Sequence, residues 1–140
     1  MAAGFGSLND SRLLDAGTYY AGQVVKTSGA VAGNLMNVAA DADKPAGVLQ
    51  SIPASSLEAS PTMDPGTICV AGEAIGLAGA AVAIDDDVVV KFAAVLVNGV
   101  SVVGTLVPKS AAGYVVGKAL TAAASGEFFQ LLVNIRKEPA

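Results

Sequence analysis

The chain has 140 residues, 8 Lys and Arg against 12 Asp and Glu, a net charge of −4, and neither His nor Trp. Without His it lacks the usual near-neutral general base, the commonest metal ligand and the Ser-His-Asp and Cys-His forms of catalysis, and an acidic chain with scattered Lys is a poor binder of DNA or RNA, whose grip rests on neutralising phosphates. One Cys, Cys69, can form neither an internal disulfide nor a thiolate zinc site, and the length suits a single domain.

Residues 1–17 set Phe5, Leu8, Leu13 and Leu14 singly among Gly, Ser, Asn and Asp. Such a segment cannot bury enough apolar surface by itself and reads as an extended N-terminal arm. It has no basic n-region and no apolar h-region, so it does not read as a signal peptide. Residues 18–140 read as one β-rich domain of short strands cut by turn residues. Strands are expected at 23–26, 35–38, 47–52, 67–71 and 74–77, separated by Ser28-Gly29, Asp64-Pro65-Gly66 and Gly79. After Asp85-Asp86-Asp87, the Val-rich runs 88–97 and 100–107 flank Asn98-Gly99, the pair that suits a type I′ hairpin turn.

Both faces of that hairpin are apolar, with Val88, Val90, Phe92, Ala94 and Leu96 on one and Val89, Ala93, Val95 and Val97 on the other. An antiparallel sheet ordinarily leaves one face polar, so another layer or another subunit should cover it. Lys91, Asn98, Gly99 and Gly104 break the same stretch, and it cannot span a membrane as a helix. A strand is expected at 114–120. The Ala-rich residues 119–125 are too few to hold a helix by propensity. In 128–137, Phe129, Leu131, Val133 and Ile135 alternate with Gln130, Asn134 and Arg136, while Phe128 and Leu132 interrupt the polar side. The fold class is all-β, a small antiparallel β-sandwich or barrel-like domain with an extended N-terminal arm.

Short motifs of catalytic type are incomplete. Leu13-Leu14-Asp15-Ala16-Gly17 resembles the catalytic loop of aspartic proteases, but Ala16 lacks the expected hydroxyl, and the mechanism needs two carboxylates held together. An enzyme of that kind would cleave peptides and be blocked by Asp15→Asn. Gly113-Tyr114-Val115-Val116-Gly117-Lys118-Ala119 has its glycines one residue too close for a phosphate loop and Ala119 in place of the Mg²⁺-binding hydroxyl. Asp85-Asp86-Asp87 reads as a solvated turn, because a Ca²⁺ site needs six to eight spaced oxygens. Ala42-Asp43-Lys44-Pro45-Ala46 is similar to a lipoyl-bearing hairpin, with Pro45 where that hairpin needs a backbone N–H. Asn9-Asp10-Ser11 fits a glycosylation sequon, which means little in a chain without an export signal. Cys69 reads as a small buried hydrophobe. No enzyme activity, cofactor, metal or small-molecule substrate is expected. Tyr19 and Tyr20 either form a contact with another molecule or close one end of the core.

Charged residues make up 14% of the chain, well under the ~25–35% on a typical small soluble surface. Together with the doubly apolar hairpin, this points to a module covered in part by other protein. The series Gly22-Gln23-Val24-Val25-Lys26, then Lys44-Pro45-Ala46-Gly47-Val48, then Gly117-Lys118-Ala119-Leu120-Thr121-Ala122-Ala123-Ala124-Ser125-Gly126-Glu127 resembles the capsid cement, or head decoration, proteins of tailed bacteriophages. The resemblance runs from about Ala16 to Val133. It implies a non-enzymatic virion protein, assembled in the host cytoplasm, that binds the major capsid protein on the outer surface of the head. It also implies homotrimers at local threefold positions that hold the shell against internal DNA pressure. Arms of that family reach over neighbouring capsid subunits, so Phe5, Leu8, Leu13 and Leu14 are the expected capsid contacts, strengthened by multivalency or by strand addition. The alternative is a β-rich domain of a phage fibre or bacterial surface layer that binds a host surface.

Overall fold

A computed structural model describes residues 7–15, 18–51, 65–97 and 99–138. The described residues contain no α-helix and eleven strands: β1 (Leu8–Leu13), β2 (Val24–Thr27), β3 (Leu35–Asn37), β4 (Gly47–Ser51), β5 (Pro65–Leu77), β6 (Asp87–Lys91), β7 (Val95–Val97), β8 (Val100–Val102), β9 (Thr105–Pro108), β10 (Gly113–Ala119) and β11 (Phe128–Glu138). All the ladders are antiparallel. The main sheet runs β3-β2-β4-β5-β11-β10-β6-β9, with β1 as a further partner of β5, and β7-β8 is a separate ribbon.

The sheet rolls into a half-barrel. An extended strand would separate Ile68 from Ile75 by about 23 Å, yet β4 pairs with Ile68 through Leu49 while the Gln50 side chain reaches Ile75. A single residue bridges the gap further along, for the Gly22 N–H donates to Leu49 O at 2.6 Å and Gly22 O accepts from Leu77 N–H at 3.0 Å. At the far edge, Gly79 N–H donates to Leu106 O, and Gly104 O accepts from Val24 N–H at 2.7 Å. These bonds return β9 to the start of β2 and the end of β5.

Period-two alternation decides what fills the interior. Val24, Val48 and Cys69 face into the half-barrel with Val88, Val90, Leu106, Phe129 and Leu131. Their chain neighbours Val25, Leu49 and Ile68 face outward, where Leu14, Tyr19 and Leu35 cover them. A third cluster joins Tyr20, Leu77, Val97 and Val102. Leu77 lies opposite Phe128 and so shares its outer face; the β7-β8 ribbon therefore lies over one end of that face. Each such fully buried aliphatic or aromatic side chain contributes about 1.5–3 kcal/mol.

Two expectations are corrected in detail. The strands expected at 67–71 and 74–77 are one strand, β5, which exchanges partners around Gly72 (φ 97°). Its first half lies between β4 and β1, and its second half pairs with β11. The long hairpin is also divided. Lys91 pairs with Thr105 and Val95 with Val102, so three residues on one side oppose two on the other. This bulge switches the buried parity from Val88 and Val90 to Val97, and much of the two-faced apolar pattern comes from that switch. Of the two turn residues, Asn98 lies outside the described residues, and Gly99 has φ 81°. Within the expected arm, residues 8–13 form a strand on β5, with neither face deeply buried.

Candidate assembly surface

The N-terminal segment docks by main-chain pairing more than by burial. Leu8 and Leu13 on β1 are 64% and 47% exposed, and Arg12 pairs with Asp10 at 2.8 Å along one face of the strand. Among the described residues β1 pairs with β5 alone, so its other edge meets no described strand. Phe5 lies outside the described residues. Leu14 is 1% exposed inside the cluster with Val25 and Leu35, and Asp15 N–H donates to Leu35 O at 2.8 Å. Leu14 thus fastens the segment to the core. Tyr19 is as deeply buried and its hydroxyl donates to Asp15 O at 2.6 Å; burial and the Asp15 charge push its pKa up to about 12. Tyr20 is buried beneath the ribbon and stacks on Phe128 at 6.1 Å. Within this chain both tyrosines close the core.

The motifs of catalytic type have structural positions. Asp15 accepts hydrogen bonds from the Ser28 hydroxyl and from Asn34 Nδ2 at 3.0 Å, which ties the 28–34 loop to the segment before Tyr19. The glycines at 113 and 117 belong to strand β10. In the acidic turn, Asp86 accepts from Ala83 N–H at 2.9 Å, and Asp87 faces Arg136 at 3.5 Å. The described residues contain no group of three or more His, Cys, Asp or Glu placed to hold a metal. Cys69 is buried, which pushes its thiol pKa up. A groove of about 450 Å³ gathers Arg12, Lys26 and Lys44 around Ile68, but Lys26 is paired with Asp43 at 3.3 Å and Arg12 with Asp10.

Among the described residues, several partly exposed apolar side chains gather on the outer face of β5, β11 and the end of β10. Ile75, Leu120, Phe128 and Leu132 lie on it, between 37% and 49% exposed. Ile75 is opposite Gln130 across one ladder, and Gln130 O accepts from Leu120 N–H at 2.8 Å on the other side. Two residues along, Glu73 and Lys118 flank Leu132. The Gln50 carboxamide braces this face, giving to Ile75 O and accepting from Ile75 N–H, both at 3.0 Å. The sequence marked Phe128 and Leu132 as departures from alternation. Ile75 and Leu120 carried no such mark, because strand pairing alone brings them beside Gln130.

The fold is an all-β half-barrel whose outer face is covered in part by its own loops and ribbon and, among the described residues, is left partly exposed at Ile75, Leu120, Phe128 and Leu132. The chain is similar over 92% of its length, and over 95% of the other chain, to the N base of the head fibre gp8.5 of bacteriophage phi29, with a TM-score of 0.56 at 15% identity. The two share a fold. No family model matches the sequence, and no curated protein matches it.

Proposed function

We propose that this chain is a non-enzymatic virion protein that decorates the outer surface of a phage head, binding the major capsid protein as homotrimers at local threefold positions and reinforcing the shell. The observation that carries this reading is the likeness to a head-fibre base over nearly the whole of both chains; the resemblance of the strand motifs to cement proteins points the same way. The low charge and the bare apolar face suit a module that works while covered by other protein. Leu8 and Leu13, exposed on β1, are the described arm residues best placed to meet a shell. Three such arms in one trimer would bind with an effective concentration that one arm lacks. Replacing both with Ser should abolish binding to expanded heads while the fold persists, and unchanged binding would remove the arm from the interface.

A second reading follows from the same neighbour: the chain could be the base of a fibre that stands on the head and binds a host surface. Copy number separates the two. Quantitative mass spectrometry of purified particles should give a ratio to the major shell protein near one-to-one for a cement protein. A small number of copies would favour a fibre base, and absence from particles would overturn both readings.

A further inference from the structure

The bare face has a pattern that matches itself. Along β11 the outward residues are Phe128, Gln130 and Leu132. On the β5 side of this line stand Ile75 and Glu73, and on the β10 side, at the same two levels, stand Leu120 and Lys118. Apolar is thus balanced by apolar and acid by base about the strand. We infer that this face binds a second copy of the chain, with a twofold axis running along β11 in the contact plane.

Rotation about that axis keeps each level and exchanges the two sides. Leu132 then meets Leu132, and the Gln130 carboxamides, each carrying donors and an acceptor, meet each other. Ile75 packs on the other copy's Leu120, and Glu73 faces the other copy's Lys118 twice over. This is what a self-complementary twofold interface requires. Glu73 and Lys118 are exposed and make no ion pair with another described residue, so both charges are free to pair across the contact. The outer face of a rolled sheet is convex, and the contact is therefore narrow and the association weak, in the class of small transient interfaces. On a closed shell neighbouring local threefold positions are related by local twofold axes, so such a contact is also compatible with linking decorations side by side. The inference does not depend on the virion reading, since it follows from the face alone.

Sedimentation velocity of the full chain over a rising concentration series tests it. Reversible association that doubles the mass is expected. Glu73→Lys alone or Lys118→Glu alone should weaken it about tenfold or more, because like charges would then face each other. The Glu73→Lys/Lys118→Glu double variant should restore it, and Leu132→Asp should eliminate it. All three positions are exposed, and unchanged circular dichroism melts will show that the fold is kept. No doubling of mass at any concentration, or doubling that the single swaps leave unaltered or the double swap fails to restore, would overturn the inference. A trimer indifferent to every variant would overturn it as well and leave the virion reading standing.

Discussion

Gly104 is where the half-barrel is drawn together, and its substitution by Ala should measure what that closure is worth. Its N–H donates to Lys91 O at 3.0 Å, and its carbonyl accepts from Val24 N–H at 2.7 Å. Its φ is +79°, and a Cβ at this position would lie 2.5 Å from the Val24 carbonyl oxygen. Ala would incur about 1–2 kcal/mol for the left-handed backbone and about 1–3 kcal/mol for the close approach, which no rotamer change can relieve because the backbone fixes the Cβ and the oxygen it meets is a main-chain atom. Loss of glycine's freedom in the unfolded chain returns about 0.4–1 kcal/mol. The expected net loss is about 1–4.5 kcal/mol, or about 3–14 °C in melting temperature for a domain of this size. Two controls separate the contributions. Gly33 has φ +84° and open space around it, and Gly29 has open space and no such φ. Gly33→Ala should therefore cost about 1 kcal/mol or less, and Gly29→Ala should be neutral or slightly stabilising. Thermal and urea unfolding of the three variants make the comparison. If Gly104→Ala melted within about 1 kcal/mol of Gly33→Ala, the close approach of β9 to β2 would be refuted.

Adjacent residues on β11 should respond very differently. Leu131→Ala should lose about 2–5 kcal/mol because it empties part of the interior, whereas Leu132→Ala should change the stability of the isolated chain by about 0.5 kcal/mol or less; urea titration of both checks the assignment of faces. The buried Thr105 hydroxyl has no hydrogen-bond partner among the described residues. Thr105→Val keeps the shape and removes an unsatisfied group, so its melting temperature should hold or rise, and a large fall would reveal a partner. The Tyr19 hydroxyl, raised to about 12 in the fold, should ionise earlier in the unfolded chain, near 10. Its contribution to stability is complete below about pH 10 and lost as pH rises toward 12, because the unfolded state sheds its proton first. Phenolate absorbance should show a component near pH 12 that Tyr19→Phe removes, and the alkaline loss of stability should be shallower in that variant.

The all-β class, most strand positions and the Gly99 turn were legible in the sequence because they rest on local chemistry: alternation along 128–137, Asn-Gly between Val runs, and turn residues between the others. Burial was legible only where one face was clearly polar. In Val24-Val25, Val48-Leu49 and Ile68-Cys69 both neighbours are apolar and both are buried, one inside the half-barrel and one beneath Leu14 and Tyr19. Alternation is silent where both faces are covered, and only the position of the covering segment decides the matter. The bulge at 92–94 and the uninterrupted course of β5 past Gly72 were equally invisible, since each depends on which strand lies alongside. The bare face shows the same division. The sequence supplied Phe128 and Leu132 as exceptions to a polar pattern, but Ile75 lies 55 residues before Gln130 in the chain. The antiparallel ladders set Ile75, Gln130 and Leu120 in one row, and long-range pairing of that kind is a property of the rolled sheet that no local window of residues contains.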